Sequence, residues 1–171
     1  GEEGWSAALD DLGPGAPLAL WWRGPRPPGD TSRWLGVVGT RDPTAYGLHV
    51  TAVVAGGAAA AGAVIVSGGA LGIDAGAHRA ALTSGIPARP EAPLLTACVL
   101  AGGVDRLYPA SNARLLRQLA QEQLILSEHP PGCAPTRWRF LSRNRLIAAL
   151  GAGLVVVEGR WRSGSLSTAH R

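Results

Sequence analysis

The sequence predicts an α/β fold in which helices cover both faces of a doubly wound, mostly parallel sheet. The main observation is residues 64–74, where a β-branched run stops at Ser67 and is followed by Gly68, Gly69 and Gly72. Asp74 then opens an Ala-rich stretch, which is the order of a buried strand, a tight turn and a first helical turn. The same order recurs at four more places, and an apolar content of 46% over 171 residues is enough for one buried core. We therefore expect a three-layer sandwich.

The elements are expected to alternate along the chain. Residues 1–30 are rich in Pro and Gly, and we interpret them as an N-terminal extension or linker in which the apolar segment 18–22 could form an edge strand. The folded domain is expected to span residues 31–171. Its strands are predicted at 34–38, 64–66, 96–100, 124–126 and 154–157, and its helices at 46–61, 74–83, 113–123 and 143–150. Ser111 or Asn112 is the expected N-cap of the third helix and Ser142 that of the fourth, while prolines make residues 85–93 a loop.

The carboxyl ends of parallel strands meet at one edge of a sheet, so the five junctions are expected to form one rim. Glycines in the 64–74 junction let a ligand approach the backbone closely, and the free amides of the following helix favour an anion. A junction of this kind is also common in α/β proteins that bind nothing there. The site is therefore expected on the rim, with its ligand class decided by other residues.

Arginine supplies every strong positive charge: the 16 basic residues include no lysine, the net charge is +4 and the pI is about 10. A genomic composition bias explains the count but not the positions. Arg41, Arg106 and the pair at 160 and 162 each follow a predicted strand. Cations at so many points of one rim predict an extended anion, and a polynucleotide backbone fits best.

Two further arginines follow the expected N-cap Ser142. Arg143 and Arg145 would then occupy a first helical turn, where the helix dipole disfavours cations by roughly 0.3–1 kcal/mol each. A phosphate ligand explains that placement. The alternative is that the two arginines pair with Glu128 or Glu158 at neighbouring strand ends.

Four aromatic residues lie near these arginines in the sequence. They are Tyr108, Trp138, Phe140 and Trp161. Such side chains stack on unpaired bases in proteins that bind single strands, although packing is the more common role of any one aromatic residue.

Several classes of protein are disfavoured by what the sequence lacks. Cys98 and Cys133 have no metal-ligand or disulfide spacing, so reduced thiols, no metal and a cytoplasmic location are expected. The N-terminus does not have the basic region followed by an apolar core that is typical of a signal peptide. Residues 50–73 carry no charge, but their glycines and their division into a helical and a strand half argue against a membrane span.

Taken together, the motifs resemble the DNA-processing protein A family, also called DprA or Smf. The order and most of the spacings agree from about residue 17 to residue 171. The pieces that carry the resemblance are Gly39-Thr40-Arg41, residues 67–74 with Ala77-His78, residues 103–105 with Tyr108-Pro109 and Asn112, Ser127-Glu128, Phe140 with Arg143-Asn144-Arg145, and residues 155–158 with Ser163-Gly164-Ser165.

The resemblance implies an extended Rossmann-like domain that binds single-stranded DNA in a basic pocket. It also implies a homodimer, a partnership with RecA during natural transformation and recombination, no cofactor and no enzymatic activity. The chain lacks the family's lysines and stops short of its last strands, and Leu141 stands where the family often has proline. The implied DNA-binding or phosphate-binding residues are Arg41, Ser67, Gly68, Gly69, Gly72, Asp74, Arg106, Asn112, Arg143, Asn144, Arg145, Ser163, Gly164 and Ser165.

Enzymes are the competing class. The strongest alternative is a nucleotide phosphoribohydrolase of the lysine-decarboxylase-like family, but residues 101–105 lack its Gly-Thr and Glu. The glycine spacing is not that of a dinucleotide-binding turn, and the absence of lysine excludes a P-loop ATPase. A triad of Ser67, His78 and Asp74 can be drawn, yet Asp74 and His78 are one helical turn apart and are more simply a local pair.

Overall fold

A six-stranded sheet forms the middle layer of the computed structural model, which describes residues 4–84 and 94–159. The strands are β1 (Trp21–Arg23), β2 (Trp34–Gly39), β3 (Val64–Gly68), β4 (Thr96–Val99), β5 (Leu124–Ser127) and β6 (Gly153–Val157). Their order across the sheet is β1-β5-β4-β3-β2-β6. All neighbours pair in parallel except β1, which runs antiparallel to β5. The predicted doubly wound, mostly parallel sheet is confirmed.

Helices cover both faces of this sheet. They are α1 (Ala45–Ala60), α2 (Ile73–Ser84), α3 (Ala113–Glu122) and α4 (Arg137–Leu150). Helices α1, α2 and α3 pack on the face that carries Val37, Ile65 and Cys98, and α4 packs on the face that carries Val38 and Val66. Neighbouring residues of one strand thus enter opposite cores, as the alternation of side chains in a strand requires. The result is the expected three-layer sandwich.

The N-terminal segment is part of the core. A short 3₁₀ segment, Ala7–Gly15, buries Leu9 completely against the face covered by α4. Strand β1 then closes one edge of the sheet by pairing Trp21 with Ser127 and Arg23 with Ile125. Leu9 and β1 thus join the N-terminal segment to the domain, and the edge strand expected at residues 18–22 is found at Trp21–Arg23.

The fourth helix begins earlier than the sequence indicated. Helix α4 starts at Arg137 and its N-cap is Thr136, whose hydroxyl accepts a hydrogen bond from the Arg139 amide at 3.3 Å. The prediction that Ser142 is the N-cap is wrong, because the Ser142 hydroxyl donates to the Arg139 carbonyl inside the helix. A polar residue in the second turn of a helix was mistaken for its cap.

The described residues contain no helix that combines the length and the hydropathy needed to cross a bilayer. The uncharged stretch 50–73 divides between α1, β3 and the first residue of α2. The expectation that it does not span a membrane agrees with this division.

Candidate nucleic-acid interface

The glycine turn after β3 is packed tightly against its neighbours. Gly72 adopts a φ of +80°, where only glycine is comfortable, and a Cβ there would overlap the Thr40 carbonyl and the Arg41 backbone. The Ile73 amide donates to the Thr40 carbonyl at 3.1 Å, so one of the amides expected to face a ligand is already used inside the protein. The turn fixes the ends of β2 and β3 relative to each other.

A buried carboxylate lies beneath this turn. Asp74, in the first turn of α2, is 6% exposed, and the Ala70 amide donates to it. Burial raises the pKa of Asp74, while the nearby charge of Arg143 and the Ala70 hydrogen bond oppose the rise. The chain's own carboxylate thus occupies part of the place where the sequence analysis expected an external anion.

Arg143 is the cationic counterpart of Asp74. Its side chain is 5% exposed and donates from Nη1 to the Val99 carbonyl at 2.5 Å. A Cβ on Gly68 would overlap both the Arg143 guanidinium and the Asp74 carboxylate, so glycine at that position makes room for the two charges. Burial lowers the pKa of Arg143 and Asp74 raises it. Arg143 joins the carboxyl ends of β3 and β4 to α4, and its Nε finds no hydrogen-bond partner among the described residues.

Arg145 is committed to an ion pair. Its guanidinium donates to both oxygens of Glu128, at 2.8 and 2.6 Å, and the two side chains are 14% and 12% exposed. Two further hydrogen bonds reach the carbonyls of Gly15 at 2.7 Å and Ser142 at 2.8 Å. For Arg145 the alternative of pairing with Glu128 is confirmed.

Glu158 has a different partner from the one expected. Its carboxylate accepts from the Thr44 amide at 2.9 Å and from the Thr44 hydroxyl, and it thereby caps the N-terminus of α1. These hydrogen bonds, the hydroxyl first, lower the pKa of Glu158. Within residues 4–84 and 94–159, Glu158 contacts Thr44 and pairs with neither Arg143 nor Arg145, since an amide-rich helix N-terminus also stabilises a carboxylate.

Residues at the carboxyl ends of the strands line a narrow cleft, which we call the rim cleft, and Arg41 lies beside it. Arg41 lies over the ring of Phe140, with 5.6 Å from its Cζ to the ring centroid. The Tyr108 ring also contacts Phe140, with 5.9 Å between the ring centroids and 53° between the ring planes. Tyr108 is 50% exposed. The lining residues are Gly69, Leu100, Ala101, Gly102, Arg106, Tyr108, Pro135, Phe140 and Arg143.

Arg106 stands at the mouth of the rim cleft. Its side chain is 57% exposed, and its contact with Asp105 is long, at 3.7 Å. An ion pair this open contributes little to stability. The guanidinium can therefore exchange that carboxylate for another anion at small cost.

Asn112 holds the glycine turn from the side. Its amide donates to the carbonyls of Gly69 and Ala70 at 3.2 and 3.3 Å, and its oxygen accepts from Arg79 at 3.4 Å. The side chain is 2% exposed and makes no cap for α3, although Asn112 is the residue that precedes this helix. Asn112 therefore positions the glycine turn through buried hydrogen bonds to its backbone.

His78 and Ser67 do not form a hydrolytic triad with Asp74. His78 Nε2 lies 2.9 Å from the Gly68 carbonyl, which can only accept, so this nitrogen carries the proton. Nδ1 lies 2.6 Å from the Thr96 hydroxyl, and burial lowers the pKa of His78 to about 4. The Ser67 hydroxyl donates to the Val37 carbonyl at 2.6 Å. The expected local pair of Asp74 and His78 is wrong as well, because both ring nitrogens face other partners.

The remaining predicted residues divide into two groups. Asn144 follows Arg143 on α4 and is partly buried. Ser163, Gly164 and Ser165 lie outside the described residues, as do the arginines at 160 and 162. The structure thus brings Arg41, Arg106 and the glycine turn to one rim, and it moves Arg143 and Arg145 from the surface into the protein.

Comparison with known proteins identifies the family. The model of the DNA recombination-mediator protein A family matches residues 1–171, which is the whole sequence. The chain belongs to the DNA recombination-mediator protein A family. This assignment agrees with the resemblance to DprA and Smf proteins and does not support the phosphoribohydrolase alternative.

Relatives within the family are longer than this chain. It is 49% identical over 155 residues to a candidate DNA processing protein DprA of Mycobacterium tuberculosis, and 40% identical over 155 residues to the DNA processing protein DprA of Bacillus subtilis. The matches cover 90% and 91% of the chain but 38% and 50% of those relatives. The chain therefore corresponds to half or less of their length.

Solved structures of the family have the same fold. DNA processing protein A of Streptococcus pneumoniae superimposes with a TM-score of 0.85 at 35% identity, over 99% of this chain and 56% of that one. The Helicobacter pylori protein, whose structure was described for its single-stranded DNA binding mode, gives 0.83 at 34% identity, over 98% of this chain and 73% of that one.

Several residues that shape the rim of this family member were not predicted from the sequence. Thr136 sets the start of α4, and its signal was a threonine directly after Pro135. Thr96 and Arg79 support His78 and Asn112, but each contact joins distant parts of the chain and has no local signature.

Proposed function

We propose that the chain binds single-stranded DNA in the rim cleft and serves as the DNA-binding part of a recombination mediator. The finer expectations stand as part of this proposal: a homodimer that loads RecA onto DNA in the cytoplasm during natural transformation or another recombination task, without enzymatic activity. Membership of the family supports the proposal. The Helicobacter pylori relative, described for binding single-stranded DNA, supports it further.

The observation that carries the proposal is the group of aromatic and cationic side chains at the rim cleft. Arg41 lies over the Phe140 ring and the half-exposed Tyr108 ring lies beside it, so aromatic faces and positive charge are next to each other. Unpaired bases stack on such rings while arginine binds the adjoining phosphate, and every base has a face that can stack. The arrangement suits a single strand, since bases inside a duplex are not accessible for stacking.

Electrostatics on the rim favour an anionic ligand. Glu128 is neutralised by Arg145, and Asp74 is buried beside Arg143. Asp74 acts on Arg41 only from its buried position, and the Arg106–Asp105 contact is long, so both guanidinium groups remain exposed to solvent. We assign phosphate contacts to Arg41 and Arg106 and a supporting role to Arg143.

Oligo-dT binding tests the proposal directly. Each arginine–phosphate contact to a single strand contributes about 0.7 to the slope of log affinity against log salt. Arg41→Gln and Arg106→Gln should each weaken binding and reduce the slope by about 0.7. Arg33→Gln is the matched control, because Arg33 precedes β2 at the opposite edge of the sheet, where it donates to the Ala61 carbonyl.

Two results would contradict the proposal. One is the absence of oligo-dT affinity at low salt, and the other is an equal loss of affinity from Arg33→Gln and Arg41→Gln. The non-enzymatic part predicts no release of ribose phosphate from nucleoside monophosphates. Turnover that disappears in Glu158→Gln would instead favour the phosphoribohydrolase alternative.

A further inference from the structure

Two consecutive side chains at the start of α4 project from the protein. Trp138 is 79% exposed, and Arg137 before it is also exposed, whereas Arg139 after it is partly buried. Trp138 is more exposed than Tyr46 and Tyr108, two other surface aromatics of the described residues. We call residues 137 and 138 the α4 platform.

Stability alone does not account for this arrangement. An indole that remains in water contributes almost none of the burial energy that makes tryptophan stabilising in a core. The first turn of α4 contains no acidic residue and carries two arginines, where the helix dipole disfavours cations.

The α4 platform is continuous with the rim cleft. Successive residues of an α-helix are rotated by about 100°, so Arg137 lies one turn before the cleft-lining Phe140 on the same side of α4, and Trp138 is the next residue around the helix. The Arg139 guanidinium is used inside the protein, where its Nη1 donates to the Ala134 carbonyl. A strand that leaves the cleft around the start of α4 meets Arg137 first and Trp138 next.

We propose that the α4 platform is a second contact for single-stranded DNA, occupied by the part of a strand that extends beyond the rim cleft. A base stacks on Trp138, and Arg137 binds the phosphate next to it. The proposal rests on DNA binding by the rim cleft. An exposed indole next to an exposed guanidinium matches the alternating base and phosphate of a single strand, and the first turn of α4 contains no acidic residue that would repel the phosphate.

Strand length separates the two contacts in an experiment. Fluorescence anisotropy is measured with fluorescein-labelled oligo-dT of about 5 and about 20 nucleotides, a range that brackets the site sizes of single-strand binding domains. Trp138→Ala should weaken binding of the longer strand by roughly 5- to 100-fold and leave the shorter one unchanged within about twofold. Trp138→Phe, which keeps an aromatic face, should retain most of the affinity.

Charge gives an independent measurement. Arg137→Gln should reduce the salt slope for the longer strand by about 0.7 and leave the slope for the shorter strand unchanged. Trp22→Ala is the matched control, because Trp22 is 49% exposed on the edge strand β1 and lines a different pocket. Replacing thymine by 5-iodouracil in the longer strand should crosslink the peptide that contains Trp138.

Binding of the two oligonucleotides to the unmodified chain distinguishes failure of the α4 platform from failure of DNA binding by the rim cleft. If neither oligonucleotide binds the unmodified chain, the rim cleft proposal fails. If both bind and Trp138→Ala changes neither, or changes both equally, the α4 platform is not a second contact. A similar loss from Trp22→Ala would also overturn it.

Discussion

Replacing Arg145 should destabilise the fold, whereas replacing Arg106 should not. The Arg145–Glu128 pair is bidentate at 2.6–2.8 Å with both side chains about nine-tenths buried, while the Arg106–Asp105 contact is 3.7 Å long between side chains 57% and 45% exposed. Removing one partner of a buried pair costs about 3–5 kcal/mol, and residual solvent screening favours the lower end, about 3 kcal/mol. An exposed pair contributes about 0–1 kcal/mol.

Urea and thermal unfolding measure the difference. For a domain of this size about 3 kcal/mol corresponds to a fall in melting temperature of roughly 6–12 °C in Arg145→Gln. The double variant Arg145→Gln with Glu128→Gln should recover part of the loss, because it no longer leaves a carboxylate unpaired in a poorly hydrated site. Equal stability of Arg145→Gln and Arg106→Gln, within about 0.5 kcal/mol, would refute the reasoning.

Three other predictions concern the residues around the rim. Gly68→Ala should lower the unfolding free energy measured in urea by about 1–3 kcal/mol, because the new Cβ meets the buried charges of Asp74 and Arg143. The control Gly57→Ala, in α1 with open space around it, should raise the unfolding free energy by about 0.5–1 kcal/mol. A change of the same sign in both variants would contradict the packing at Gly68. The pKa of Glu158 is lowered, so its contribution to stability is present above the ordinary pKa of 4.5 and is lost as the pH falls through the folded-state pKa. The unfolding free energy of Glu158→Gln should therefore lie below that of the unmodified chain at pH 7 and converge with it in acid. A difference that stays constant with pH would count against the capping role. His78, with its pKa lowered to about 4, should still show the ring-nitrogen resonances of the neutral Nε2–H tautomer at about pH 5, and a doubly protonated ring there would be inconsistent with its burial.

The sequence was sufficient for the sheet because its signals are local. A β-branched run that ends in glycines and is followed by an Ala-rich stretch can be interpreted without knowing what packs against it, as at residues 64–74. Parallel pairing then places the ends of β2–β6 at one edge, so the rim followed from topology.

The roles of the charged residues could not be predicted in the same way. Arg143 is buried because Asp74 and the Val99 carbonyl lie beside it, and both belong to other elements. Ser142 resembles a helix cap in sequence, and only the continuous helix from Arg137 shows that it is an interior residue. Whether an arginine faces solvent or a carboxylate depends on tertiary contacts that a single sequence does not reveal.

The burial of Leu9 and the pairing of β1 have a consequence for how the protein can be divided. Truncation before residue 31, where the sequence alone suggested a boundary, would remove a fully buried leucine, leave β5 with an open edge and withdraw one acceptor from Arg145. Unpaired edges of this kind recruit strands from other molecules. Expression of residues 31–171 alone should therefore give aggregated material, and DNA-binding measurements are best made on chains that keep the first thirty residues.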